Sequence, residues 1–190
     1  MCSTVRRRCV MRKRKKFNEI YPESQAGFTL IEILIVVILL GILATIIIPQ
    51  VSISTDDAKL NTLKTSLNNI RGAVELYYYQ HSNKYPGEVE TDGSGAPADA
   101  AAAAAAFKAQ LTTYTSAAGA TAVAKDGTYK YGPYMKEGLP TNPFNDSNDI
   151  VCDIATNDIT AKVNSGTDKG WKFYTKTGVL LPDDGDHDSL

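Results

Sequence analysis

The sequence is poor in the side chains from which enzymes usually build active sites. Of its 190 residues, three are cysteine and two are histidine, and the histidines lie far apart at His81 and His187. It contains no HExxH helix, CxxC pair, Walker glycine loop or GxSxG turn. Catalysis needs several such groups at defined spacings, so the composition argues against an enzyme and favours a structural or binding role.

The cysteines are also too few for a framework of disulfides. Cys2 and Cys9 lie in a basic N-terminal segment, which leaves Cys152 alone in the rest of the chain. One cysteine cannot form an intrachain bridge. We predict that Cys152 is a small buried apolar residue, with a crosslink between subunits as the alternative.

Positive charge is scarce outside the N-terminal segment. Residues 1–27 carry eight basic and two acidic side chains, a net charge of +6, whereas residues 28–190 carry 12 basic and 19 acidic side chains, a net charge of −7. A basic block directly before an apolar helix is typical of a cytoplasmic flank. The acidic remainder makes nucleic acid an unfavourable partner. Either Met1 or Met11 can be the start, and both give a basic leader.

What the sequence does contain is one long apolar run. No charged residue occurs from Ile33 to Thr55, and most side chains up to Ile48 are large and apolar. A helix needs roughly 20 such residues to cross a bilayer. Glu32 lies near the start of the run, where a carboxylate is costly unless it is paired. An acid in this position usually has a function and a partner, although an ordinary anchor with Glu32 at the headgroup level is the alternative.

The string Gly-Phe-Thr-Leu-Ile-Glu that begins at Gly27 resembles the start of type IV pilins and of the pseudopilins of type II secretion. The resemblance implies that a membrane-embedded peptidase cleaves between Gly27 and Phe28 and that the new amino group of Phe28 is methylated. It further implies that Glu32 pairs with the terminal ammonium of a neighbouring subunit during assembly. Gly41 and Pro49 also lie where many pilins have a glycine and a proline.

We predict one long helix in two parts. Residues 28–50 are apolar on all sides and belong in lipid or in a filament core, whereas residues 51–80 are amphipathic. Pro49 removes a backbone hydrogen bond and Gly41 weakens the helix, so we predict that this segment is flexible during assembly. The apolar stripe of the second part consists of Leu60, Leu63, Leu67, Ile70, Val74 and Tyr77.

Residues 81–190 are predicted to form a globular head. A loop and a short helix at residues 97–115 occupy the chain to about residue 127, a sheet occupies residues 128–182, and an acidic tail follows. The strands are predicted at residues 150–154, 159–163, 171–175 and 179–181, with a hairpin turn at 176–178. The alternation from Trp171 to Lys176 predicts one face toward the helix and one toward solvent. The fold class is α+β, similar to the type IV pilin fold, in which a long N-terminal helix packs on a small antiparallel sheet.

Two features favour the major pseudopilin branch of that family. Many pilins close a C-terminal loop with a disulfide, which Cys152 alone cannot do, and Gly132-Pro133-Tyr134 with the prolines that follow resembles a segment of major pseudopilins. The resemblance also makes calcium the one candidate cofactor, because major pseudopilins have a calcium site in the C-terminal part of the head. Solvated acids are the alternative explanation. The candidate ligands are Asp146, Asp149, Asp183, Asp184, Asp186 and Asp188.

The function that the resemblance implies is a non-enzymatic filament subunit. We favour the major pseudopilin of a type II secretion system, with a type IV pilus pilin for adhesion, motility or DNA uptake as the alternative. An uncleaved membrane-anchored binding domain is a more distant one. The expected partners are copies of the chain, prepilin peptidase and methylase, an inner-membrane assembly platform, minor pilins or pseudopilins, and lipid. The expected location is the inner (plasma) membrane as a single-pass protein with the head outside the cytoplasm, then a periplasmic or cell-surface filament.

Overall fold

The computed structural model describes residues 27–163, 165–166 and 169–190, and for residues 45–54 it describes the backbone alone. The predictions on the basic leader, including Cys2 and Cys9, and on the side chain of Pro49 therefore lie outside the described residues. By its internal contacts the chain divides into two units, Met1–Ile46 and Ile47–Leu190. We describe each unit by itself.

Helix α1 runs from Leu30 to Gln80 and contributes to both units. In the second unit its apolar stripe is buried as predicted. Leu63, Ile70 and Tyr77 are fully enclosed, while Leu60 is half-buried. Because these positions recur every three or four residues, they form one face of the helix, and that face packs against the head.

Helix α2 spans Ala100–Thr112, within the predicted helix at residues 97–115. Asp99 caps its start, since the backbone N–H of Ala102 donates to Asp99 Oδ1 at 2.8 Å. The alanine run that follows favours helix. The helix ends at Thr112, and the backbone of the next residue, Thr113, is extended with φ −123° and ψ −179°. Phe107 and Leu111 are buried on its inner face.

Within the described residues, five short strands form two sheets. Strands β1 (Tyr114–Thr115) and β2 (Thr121–Ala122) pair antiparallel. The end of the predicted helix at residues 97–115 is therefore a strand, and a second strand lies before residue 128, where the sheet was predicted to start. The larger sheet has the order β3-β4-β5, in which β3 is Ile150–Asp153, β4 is Trp171–Tyr174 and β5 is Leu180–Pro182.

The predicted antiparallel sheet is correct for β4 and β5 but wrong for β3 and β4, which are parallel. The tight connection after Tyr174 gives the predicted hairpin, in which Tyr174 N–H donates to the Val179 carbonyl oxygen at 2.9 Å. The chain between Asp153 and Trp171 must instead cross over to bring β4 alongside β3 in parallel. A crossover of this length is what parallel neighbours require, and the sequence pattern did not reveal it.

The predicted strand at residues 159–163 is wrong. This segment is not in a sheet and lies over the outer face of β4, where Tyr174 Oη donates to the Val163 carbonyl oxygen at 3.1 Å. Lys172 Nζ donates to the same oxygen at 2.7 Å. As a result Tyr174 is buried, although the alternation along β4 had predicted a solvent-facing side chain.

The buried core of the second unit joins both helices to the larger sheet. The single tryptophan, Trp171, is fully buried and donates from Nε1 to the Pro140 carbonyl oxygen at 2.8 Å. Arg71 of α1 donates to the carbonyl oxygens of Leu180 and Leu190, at 2.8 Å each. The bond from Trp171 holds the segment around Pro140 against the core, and the bonds from Arg71 hold β5 and Leu190 there.

Candidate assembly site

The start of helix α1 places Glu32 in the first helical turn. The backbone N–H of Glu32 donates to the Thr29 carbonyl oxygen at 3.1 Å and to Thr29 Oγ1 at 3.3 Å, so Thr29 is the N-cap. The spacing is that of a capping box, in which the glutamate side chain would return a bond to the cap. Among the described residues, however, the Glu32 carboxylate has neither a hydrogen-bond nor an ion-pair partner. Gly27 and Phe28 directly precede the cap and are exposed.

Apolar side chains surround this carboxylate on every side of the helix. Thirteen large apolar residues between Phe28 and Leu43 are exposed, from 46% at Val36 to 86% at Leu30. Fully burying one such side chain is favoured by about 1.5–3 kcal/mol of free energy over leaving it in water, so this surface strongly favours an apolar environment. A contiguous apolar surface marks an interaction site. No helix within the described residues is both long and apolar enough to cross a membrane.

Gly41 and Pro49 are the two residues predicted to make helix α1 flexible. Gly41 is exposed, and a Cβ at its position would meet nothing within 4 Å. Pro49 falls where only the backbone is described, and α1 is helical there. The predicted flexibility between them stays a prediction.

The six candidate calcium ligands are largely engaged with protein groups. Asp149 accepts from Lys108 and Lys169 at 3.1 Å each, and these hydrogen bonds lower the pKa of its carboxyl. Burial acts to raise the pKa of Asp184, but hydrogen bonds, including those from Asn142 and His187, lower it overall.

The remaining candidate carboxylates do not add to a common site. Asp183 is buried and accepts from Ser165, whereas Asp146 and Asp186 are exposed. Within the part of the chain that the structure describes, no three His, Cys, Asp or Glu side chains are grouped so that they could hold a metal ion. Calcium binding stays a prediction from the resemblance.

His81, at the end of α1, links this helix to β1. Its ring stacks on Tyr77 with 3.8 Å between the ring centroids, and its Nδ1 lies 2.9 Å from the Tyr77 carbonyl oxygen. A carbonyl can only accept, so Nδ1 carries the proton and Nε2 accepts from Thr115 Oγ1 at 3.0 Å. Burial lowers the pKa of His81. Because both ring nitrogens have hydrogen-bond partners within the protein, we assign His81 a structural role.

Cys152 is free and buried on the inner face of β3. Burial raises the pKa of its thiol to about 12. A thiol in that state is neither a nucleophile nor a ready crosslinker, so the prediction of a small buried apolar residue is confirmed.

Comparison with known proteins locates the resemblance in the N-terminal helix. A family model described as the prokaryotic N-terminal methylation motif matches residues 24–48, which include Gly27, Phe28 and Glu32. The type II secretion system core protein G of Pseudomonas aeruginosa is 47% identical over 54 residues, which are 28% of this chain and 38% of that protein. Its counterpart from Klebsiella pneumoniae is 33% identical over 64 residues, 34% of this chain and 45% of that protein.

The matching region of this chain covers most of the length of a third relative. The ComG operon protein 3 homolog of Bacillus licheniformis is 31% identical over 72 residues, which are 37% of this chain and 74% of that protein. The chain belongs to the family of type IV pilins and pseudopilins. It spans less than half the length of the type II secretion relatives cited above. No solved structure matches the chain.

For this member of the pilin and pseudopilin family, the roles of Gly27, Phe28 and Glu32 in processing and assembly stay predictions, and the sequence did not predict how the head is held together. The contacts of Arg71 with Leu180 and Leu190 and of His81 with Thr115 join segments that are distant in sequence. The only sequence signal was the position of the two side chains: Arg71 directly follows Ile70 of the apolar stripe, and His81 lies four residues after Tyr77.

Proposed function

We propose that this protein is a structural subunit of a type IV-family filament and, within that family, the major pseudopilin of a type II secretion system. The observation that carries the proposal is the exposed apolar surface of the first unit around the partnerless carboxylate of Glu32. Similarity to core protein G of two bacteria supports the choice of a secretion system.

Assembly follows from the energetics of the first unit. Cleavage after Gly27 would give Phe28 a free amino group, which is a cation four residues before Glu32. An unpaired carboxylate is costly in an apolar environment, and pairing with a cation of another copy removes much of that cost. The exposed apolar side chains would then be buried against equivalent helices. The ion pair sets the register between copies, and the apolar contacts supply most of the stabilisation.

The proposed location and partners follow from this mechanism. Before assembly the apolar helix, which continues to Ile48 in the sequence, resides in the inner membrane with the head outside the cytoplasm. Prepilin peptidase and methylase process the amino terminus, and an assembly platform with minor pseudopilins builds a periplasmic filament. The protein performs no catalysis of its own.

The proposal is tested in the secreting organism with the full-length precursor. We expect a mature protein that begins with N-methylated Phe28 in mass spectra, and loss of exoprotein secretion when the gene is deleted. Glu32→Leu should abolish filaments while leaving cleavage intact, whereas Asp57→Asn, a charge removal at an exposed position of the same helix, is the matched control for net charge. An intact leader, or filaments unaffected by Glu32→Leu, would contradict the mechanism. Lost motility with normal secretion would identify a pilus pilin instead.

Calcium is tested separately on the same protein. The thermal midpoint is measured with calcium and with a chelator, for the parent and for Asp183→Asn. Binding raises the midpoint of the parent more than that of the variant, and equal midpoints in calcium and in chelator contradict the predicted site.

A further inference from the structure

The outer face of helix α1 carries two apolar side chains that the core does not use. In the second unit, Leu76 is 50% exposed and Tyr79 is 74% exposed. They are three residues apart and therefore lie on one helical face, which also includes Gly72, four residues before Leu76. A Cβ at Gly72 would meet nothing within 4 Å. We name Gly72, Leu76 and Tyr79 the α1 ridge.

Among the described side chains of the second unit, the ridge is the exposed apolar feature that lies on a regular helix. The other large apolar side chains described as exposed there, Val123, Ile159 and Val163, lie in loops. A binding surface on a regular helix loses less conformational entropy on association than a loop does. The ridge is therefore the better candidate for a docking surface.

A groove elsewhere in the same unit is lined mainly by apolar side chains. It lies between helix α2 and strand β3 and has a volume of about 440 Å³. The wall from β3 consists of Ile150 and Val151, and β3 is an edge strand, so no further strand closes this side. The wall from α2 consists of the small side chains of Ala100, Ala101, Ala104 and Ala105. Small side chains facing a large apolar residue allow close packing.

The groove also carries an excess of positive charge. Lys108 and Lys169 line it, and both pair with the single carboxylate of Asp149, at 3.1 Å each. Two cations and one anion leave a net charge of +1. On the ridge side, Glu75 adjoins Leu76 and is exposed, and no ion pair joins it to another described residue.

We propose that the α1 ridge of one copy docks in the α2–β3 groove of the next copy, with Glu75 pairing with Lys108 or Lys169. The two surfaces share no residue, so each copy offers one ridge and one groove. Repeated head to tail, such a contact continues from copy to copy, which is what a filament requires, whereas a closed two-fold dimer would use both surfaces of each copy at once. This inference rests on the proposed filament function and assigns it a contact between heads, separate from the apolar helix and Glu32.

A disulfide test reads the contact directly in the full-length chain within assembling cells. The variant with both Leu76→Cys and Ala101→Cys should give a ladder of dimers, trimers and larger species on oxidation. Co-production of the two single variants should give dimers without a ladder, because each chain then has one engineered cysteine. Lys64→Cys with Ala101→Cys, which moves the helix cysteine away from the ridge, is the matched control and should give no ladder. The native Cys152 is buried and present throughout.

A charge exchange provides a second test that needs no crosslink. Glu75→Lys should lower the filament yield about tenfold, since like charges then face each other across the contact. Lys169→Glu in the same chain should restore most of that yield. Filaments of the parent without a ladder from the double cysteine variant, or with a Glu75→Lys yield equal to the parent's, would overturn the proposed contact and leave the filament function intact. Absence of filaments from the parent would instead overturn both.

Discussion

Lowering the pH should lower the free energy of unfolding of the head through His81, and a variant at this position isolates the effect. Burial lowers the pKa of His81 below its ordinary value of 6.5. Above that value the histidine is neutral in both states and the free energy of unfolding does not depend on it. Below it the unfolded chain binds a proton that the native chain does not, so stability falls as the pH falls. The slope is about 1.4 kcal/mol per pH unit until the lowered native pKa is reached.

His81→Phe removes this dependence at a cost in neutral solution. The stacking on Tyr77 can persist, and the Tyr77 carbonyl oxygen keeps its bond from the residue 81 backbone N–H at 3.0 Å. Thr115 Oγ1 loses its partner in a buried place, which costs about 1–3 kcal/mol. We therefore expect the variant to be less stable than the parent at pH 7.5 and to lose less stability between pH 7.5 and 5.0.

The assay is urea unfolding of the full chain in detergent, followed by the fluorescence of the single, fully buried Trp171. His187→Gln, which removes the only other histidine, is the control for general effects of histidine loss. The carboxylates and their partners are common to the parent and to His81→Phe, so their contributions cancel in that comparison. Equal losses of stability between pH 7.5 and 5.0 in the parent and in His81→Phe would refute the reasoning.

Three further predictions concern other parts of the head. Arg71→Met keeps the aliphatic stem but removes two hydrogen bonds of a charged donor, to Leu180 and Leu190, and should lower the free energy of unfolding by about 2–4 kcal/mol in the same urea assay; a loss under 1 kcal/mol would contradict this role. Cys152 should react with a thiol reagent only on unfolding, because burial raises its pKa to about 12, so rapid labelling at neutral pH without urea would be unexpected. Gly119→Ala should destabilise the head by more than 1 kcal/mol, because φ is +91° and the new Cβ would lie 2.7 Å from a valine methyl, and an unchanged thermal midpoint would argue against that packing.

Periodicity was enough to predict both helices and the strands with local signals. The stripe from Leu63 to Tyr77 and the capped alanine run after Asp99 are properties of one helix at a time, so neighbouring residues determine them. The hairpin of β4 and β5 is equally local. Residues 159–163 have the same alternating pattern as a strand, yet they lie over Tyr174, because pairing depends on which edges are available in the folded chain.

By itself, the sequence determined the family, the apolar helix with its single acid and the α+β class, since each depends on residues that are close together in the chain. Only the tertiary structure decided that β3 runs parallel to β4, that Arg71 and His81 join distant segments, and that Asp149, Asp183 and Asp184 accept bonds from protein groups. The β3–β4 pairs are 21 positions apart in the sequence, and the two Arg71 contacts are 109 and 119 positions apart. Contacts over such separations depend on the free energy of the whole packed head, which no local pattern records.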